Sequence, residues 1–183
     1  MKTRILLAAI FLAGTFPFGM KESFAEKEDK KMAIEVTSPA FKEGGMIPQK
    51  HTCDGSNVSP ALKFDKVPEG AKSLALICDD PDAPVGIWVH WVLYDLPPET
   101  KELKEGIPPR KELEGGGVHG TNDFKKLGYG GPCPPSGTHR YFFKVYALDK
   151  KLELPSGATK KTVEEAMKGH VLAEGQLMGR YAR

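Results

Sequence analysis

Apolar and polar residues alternate with a period of two through much of this chain, and turn formers close each alternating run. That pattern predicts a protein built mainly of β-strands. Ile34-Glu35-Val36 opens it, Ser38-Pro39 stops it and Glu43-Gly44-Gly45 turns it. Leu62 to Phe64 is a short strand, and Ser73 to Asp79 is an apolar one long enough to be central. From Ile87 to Leu96, alternation places Trp88, His90, Val92 and Tyr94 on one face and Val89, Trp91 and Leu93 on the other. Tyr141 to Leu148 reads as the last strong strand. In its lead-in, His139 shares a face with Tyr141, Phe143 and Val145, with Arg140 and Lys144 opposite. From Thr159 the period changes: Val163, Ala166, Met167, His170, Ala173, Leu177, Met178 and Tyr181 fall at helical spacing. Thr162 and Glu165 form a capping box, and Gly169 and Gly175 bend or split the helix. The expected fold is mainly β, with several antiparallel strands packed as a sandwich or related sheet pair, then one or two C-terminal helices.

Long loops separate these elements. Gln49 to Pro60 is rich in turn formers, and Pro97-Pro98 ends a strand before a polar, irregular stretch from Glu99 to Glu114. Pro81 and Pro84 fix φ twice within four residues and hold the Asp79 to Pro84 loop in one shape, a cis bond being one way to do so. Gly115 to Gly120 fits the dinucleotide pattern G-x-G-x-x-G. No strand leads into it and no helix follows, so it reads as a loop. No internal repeat is present.

The first residues change the reading of charge and compartment. Lys2 and Arg4 precede an apolar run from Ile5 to Phe18, too short to span a bilayer comfortably, and Ser23-Phe24-Ala25 suits a signal peptidase. Residues 1–25 are therefore expected to be a signal peptide and 26–32 a charged, disordered segment, leaving 33–183 as one domain. Export to the periplasm or beyond follows from that expectation, with no stable membrane insertion after cleavage. Of 26 basic and 24 acidic residues, the leader holds Lys2, Arg4, Lys21 and Glu22, so the remainder carries no net formal charge. Without a clustered basic face, a nucleic-acid partner is not expected.

An oxidising compartment permits one disulfide among three cysteines. Cys78 alternates with Leu74 and Leu76 and reads as a buried apolar residue. Cys53 and Cys133, both in loops of the candidate site, are the expected pair; two unrelated thiols are the alternative.

Candidate chemistry gathers at two places where a rigid loop runs into a strand: Cys78 to Pro84 with Trp88 to Trp91, and Tyr129 to Pro135 with His139 to Tyr141. Four roles suit Asp80, His90, His139 and Tyr141. The favoured one is an anion pocket: Gly130 and Gly131 bring backbone N–H groups to an oxyanion, histidine and tyrosine donate, and Asp80 orients an imidazole or meets a ligand amine. A zinc site built on His90, His139 and a carboxylate lacks the short local spacing of zinc motifs, so no metal or cofactor is expected. Hydrolysis would use Ser136, Thr138 or Cys133 with His139 as base, but no nucleophile elbow is present. The fourth role is plain hydrogen bonding inside a β core. His51, His119 and His170 suit surface or capping positions.

The Asp-Pro-Asp-Ala-Pro run, the Trp-x-His step, the Gly-Gly-Pro-x-Pro-Pro loop and His139-Arg140-Tyr141 resemble the phosphatidylethanolamine-binding protein family, also called Raf kinase inhibitor-like. The bacterial branch also resembles this chain at His51 to Gly55, Gly120 to Phe124 and Gly169 to Ala173. The resemblance implies an antiparallel two-sheet Greek-key sandwich. It also implies a ligand pocket at Asp80, Pro81, Pro84, Trp88, His90, Gly131, Pro132, His139 and Tyr141, without catalysis. The expected partner is a small anionic or phosphate-bearing compound, bound by a monomer or homodimer. Eukaryotic relatives inhibit kinases or a carboxypeptidase by protein contact, so an inhibitory contact with an envelope protein is the second expectation, and weak hydrolysis a third.

Overall fold

The computed structural model of the chain describes residues 32–183. The expected leader, and all of the expected disordered segment except Met32, lie outside the described residues. Nine strands and one α-helix follow in order: β1 (Met32–Ala33), β2 (Glu35–Thr37), β3 (Leu62–Asp65), β4 (Ser73–Asp80), β5 (Trp88–Leu96), β6 (Glu102–Leu103), β7 (Val118–His119), β8 (Thr138–Leu148), α1 (Lys160–Met167) and β9 (Val171–Ala182). Met32 pairs in β1 rather than belonging to a disordered lead-in.

The strands form two sheets, a six-stranded one in the order β1-β9-β8-β4-β5-β7 and a three-stranded one in the order β2-β3-β6. All pairs are antiparallel except β1 with β9. Strand β4 lies inside the large sheet and is buried along its whole length, which is why Leu74 to Cys78 reads as a continuous apolar run. Its even-numbered residues Leu74, Leu76 and Cys78 pack with Trp91, Tyr141, Phe143, Val36, Leu62 and Phe64 between the two sheets. Its odd-numbered Ala75 and Ile77 pack with Val92, Tyr94, Val163 and Met167 beneath α1.

Two expectations at the C-terminus are overturned. Helix α1 spans only Lys160–Met167, capped by Thr159, whose hydroxyl accepts from the Thr162 N–H; Thr162 is not the cap. Gly169 then takes a φ of +78°, the left-handed turn that ends helices. The expected second helix is strand β9, paired with β8 from Val171 to Ala182. Its inward face is Ala173, Gly175, Leu177 and Gly179, period two rather than 3.6. The glycines are required by close approach: a Cβ would lie 1.9 Å from the Ile34 carbonyl oxygen at Gly175 and 2.5 Å from Ile47 Cγ1 at Gly179.

A register shift in β5 also alters the expected alternation. Cys78 pairs with Trp91 and Asp79 with Val89, so His90 is the extra residue of a β-bulge. Past it, Trp91 and Leu93 point between the sheets while Val89, Val92 and Tyr94 point toward α1. His90 therefore parts company with Val92 and Tyr94, and both Trp88 and Trp91 lie on the side away from α1.

Candidate functional site

Asp80 ends β4 in a turn dictated by its own side chain. Oδ1 accepts from the Asp82 N–H at 2.8 Å, an Asx-turn that Pro81 stiffens. Oδ2 accepts from His139 Nδ1 at 2.7 Å. Both partners are almost fully enclosed. With Nδ1 donating to the carboxylate, His139 leaves Nε2 as its unengaged nitrogen.

His90 is held differently. Its Nδ1 donates to the Gly130 carbonyl at 2.6 Å, again leaving Nε2. Burial lowers its pKa below the ordinary 6.5, against the smaller raising effect of that carbonyl. The His90 ring stands edge-on to Tyr141, with centroids 5.1 Å apart, and edge-on to Phe124 at 5.4 Å. Phe124 in turn meets Trp88 at 5.4 Å. The Tyr141 hydroxyl is buried and makes no hydrogen bond among the described residues. Enclosure pushes its pKa upward, so it remains protonated.

These groups wall a cavity of about 170 Å³. Asp80, His90, His139 and Tyr141 supply its polar atoms; Ala83, Pro84, Val85, Trp88, Phe124, Pro134 and Pro135 supply apolar surface, and Cys133 borders the mouth. Pockets for drug-sized ligands run to about 300–1,000 Å³, so this one has the size of a headgroup or an inorganic oxyanion.

Three of the nine expected pocket residues do not line it. Pro81 faces solvent, while Gly131 and Pro132 are buried behind the wall. The expected oxyanion donors are also committed elsewhere: the Gly130 N–H donates to the His90 carbonyl at 2.9 Å and the Gly131 N–H to Asn57 Oδ1 at 2.7 Å. Glycine is needed there for space. A Cβ would meet Phe124 Cδ2 at 2.6 Å from Gly130 and the His51 carbonyl oxygen at 2.4 Å from Gly131.

The Tyr129 to Pro135 loop is tied to the Gln49 to Pro60 loop at the edge of the cavity. Cys53 and Cys133 form a disulfide, Cys53 N–H donates to the Pro132 carbonyl, and the Tyr129 hydroxyl donates to the His51 carbonyl. Cys133 is therefore no free nucleophile in this form, while Cys78 is the buried free thiol expected. The peptide bonds of the described residues are all trans, so prolines rigidify the Pro81 to Pro84 loop without a cis bond. His51 and His119 are buried rather than superficial: their Nδ1 atoms donate to the carbonyls of Val58 and Arg110. No cluster of three metal-ligating side chains occurs among the described residues.

Phe124 and the Val85 side of the mouth are site residues that sequence reasoning passed over as pocket lining. A signal for Phe124 existed in Asn122-Asp123: Asn122 closes its own turn through the Gly128 carbonyl and the Lys126 N–H, and Asp123 Oδ2 accepts from the Val89 N–H at 2.8 Å. Those bonds clamp the loop to β5 and lay the next side chain over His90.

Comparison with known proteins agrees with this architecture. Residues 37–182 match the family model for phosphatidylethanolamine-binding protein. The UPF0098 protein of Methanothermobacter thermautotrophicus is 57% identical over 150 residues, covering 82% of this chain and 99% of its own length. The crystal structure of CT736 from Chlamydia trachomatis, described as a phosphatidylethanolamine-binding protein homologue, is similar with a TM-score of 0.76 at 44% identity. Escherichia coli YBCL, described as a new member of the mammalian family, is similar with a TM-score of 0.76 at 34% identity. In both cases 82% of this chain and 98% of the other are covered. By sequence and by fold alike, the chain belongs to the phosphatidylethanolamine-binding protein family.

Proposed function

We propose that this protein is an exported binder of small anionic or phosphorylated compounds, which it holds in the Asp80, His90, His139 and Tyr141 cavity without transforming them. The observation that carries the reading is the Tyr141 hydroxyl, a buried polar group without a hydrogen-bond partner among the described residues, on a side chain that lines a cavity together with two imidazoles held through their Nδ1 atoms. An unsatisfied buried hydroxyl costs about 1–3 kcal/mol, and a ligand oxygen is the kind of partner that recovers it. The small cavity suits the phosphate end of an ester, with the rest of the molecule outside.

Phosphorus NMR and calorimetric titration with inorganic phosphate and phosphoethanolamine test this. Saturable binding, weakened by His139→Ala and by His90→Ala, is expected. Absence of binding to the folded wild type overturns the reading.

A second reading, contact with an envelope protein through the same surface, draws on Val85 and Ile87. These apolar side chains are 78% and 58% exposed on the loop beside the mouth. Capture of a partner from an envelope extract, lost with Val85→Ser and Ile87→Ser, would support it; equal capture by both forms would reject it.

A further inference from the structure

We infer that anion binding in this cavity is coupled to proton uptake: an oxyanion enters together with one proton, which His139 carries on Nε2 against the Asp80 carboxylate. The inference rests on the anion-binding reading above and specifies the charge state in which that site works.

The reason lies in the count of donors. Among the described residues, no lysine or arginine lines the cavity. Arg140 points away and is held by Asp82 through Nε at 2.8 Å and Nη2 at 2.6 Å. The glycine-loop N–H groups are spent on His90 and Asn57, as described above. While both imidazoles are neutral, each has its proton on Nδ1, and each Nε2 presents a lone pair. Among Asp80, His90, His139 and Tyr141 the inventory is then one donor, the Tyr141 hydroxyl, against two acceptors and a buried carboxylate. An oxyanion is repelled by that arrangement.

One added proton reverses it. On His139 Nε2 it turns an acceptor into a charged donor, and the imidazolium is neutralised by Asp80 at 2.7 Å on the other side of the ring. His90 is the poorer acceptor of this proton, since its Nδ1 meets only a carbonyl and burial opposes its charging. The other groups around His139 do not substitute. From the loop after β4, Asp82 is paired with Arg140; on β8, Tyr141 stays protonated. From β9, the register partner Tyr181 donates its hydroxyl to Asp54, and Arg183 is shared between Asp54 and Cys133 Sγ. No proton moves between ligand and protein covalently, and nothing is oxidised or reduced.

Sulfate is the discriminating probe because it remains a dianion near neutrality, so any proton taken up on binding goes to the protein. Calorimetric titrations across about pH 6 to 8, repeated in buffers of different ionisation enthalpy, should show net proton uptake approaching about one per sulfate as pH rises. Affinity should fall by up to about tenfold per pH unit over the same range. His139→Gln should abolish the uptake, whereas His90→Gln should weaken binding and keep it. Histidine NMR of the wild type gives a readout independent of the variants: sulfate should shift the His139 ring resonances toward the imidazolium form. Saturable sulfate or phosphate binding with flat pH dependence and no uptake overturns the inference and leaves the anion-binding reading standing. Uptake that survives in His139→Gln overturns the assignment to His139. No binding of either anion at any of these pH values overturns both.

Discussion

Asp79 and Asp80 are consecutive, both buried, and point to opposite faces of the large sheet. Asp80 turns toward the cavity and His139, while Asp79 turns toward α1 and meets Lys144 Nζ at 2.9 Å and Lys160 Nζ. Strand alternation thus splits one acidic pair between two settings, the cavity with His139 and an ion cluster under α1.

The Asp79 cluster ties α1 to the sheet and should weigh on stability alone. Replacing both Lys144 and Lys160 with methionine leaves a carboxylate that is 1% exposed without its cations. Loss of a partner from a buried ion pair costs about 3–5 kcal/mol. The double variant should show a drop of that order in urea unfolding. A change below about 1 kcal/mol would mean that Asp79 reaches water when unpaired.

Tyr141→Phe should separate stability from binding. Removing a buried hydroxyl without a partner should stabilise the ligand-free fold by about 1 kcal/mol, because its desolvation is no longer uncompensated. Phosphate affinity should fall about tenfold with loss of a bond to a charged ligand. Thermal unfolding and calorimetry measure the two effects, and parallel losses in both would make Tyr141 a structural residue.

The Cys53 to Cys133 bond joins residues 80 apart in sequence. Cross-linking over that separation restrains the unfolded chain by about 4.5 kcal/mol on chain-entropy grounds. Reduction should therefore lower stability by about 2–4 kcal/mol, and it should also weaken phosphate binding, since Cys133 and Pro134 border the cavity. Urea midpoints and titrations with and without reductant check this. Unchanged binding after reduction would show that hydrogen bonds such as Cys53 N–H to the Pro132 carbonyl hold the loop alone.

Buried histidines set the acid side of the stability profile. His90 and His119 both have pKa values lowered from 6.5, mainly by burial. The unfolded chain accepts protons that the fold resists, so their contribution is complete above pH 6.5 and is lost as pH falls below it. In sulfate- and phosphate-free buffer, the urea midpoint should be lower at about pH 5 than at about pH 7.5. A further loss follows nearer pH 2 to 4, where Asp82, lowered from 3.8 to about 2 by Arg140, takes its proton. Solvent screening keeps that second step small. A flat profile down to pH 5 would mean that both histidines charge freely in the fold.

Much of this was legible in local residue order. Strand β4 announces itself as an unbroken apolar run from Leu74 to Cys78, and Asp80-Pro81-Asp82 encodes its own Asx-turn. His139 and Tyr141, two apart on one strand, share a face by the pleat alone. The Val171 to Ala182 segment misled because its apolar residues satisfy both periods. Gly175, read as a helix bend, and Gly179 are the places where Ile34 and Ile47 cross the strand.

Local pattern alone therefore determined that the chain is mainly β and that Pro81 and Pro84 brace the loop after β4, and it singled out Cys53 and Cys133 as the pair that the fold joins. Tertiary packing decided where His90 points. Its position as the extra residue opposite Cys78 and Asp79 takes it off the face of Val92 and Tyr94 and turns it to Tyr141. It also decided what the glycine loop donates, since the His90 carbonyl and the Asn57 side chain claim those N–H groups. A bulge and a long-range hydrogen bond both depend on the partner strand or loop, and a partner's register is not written in the residues that it receives.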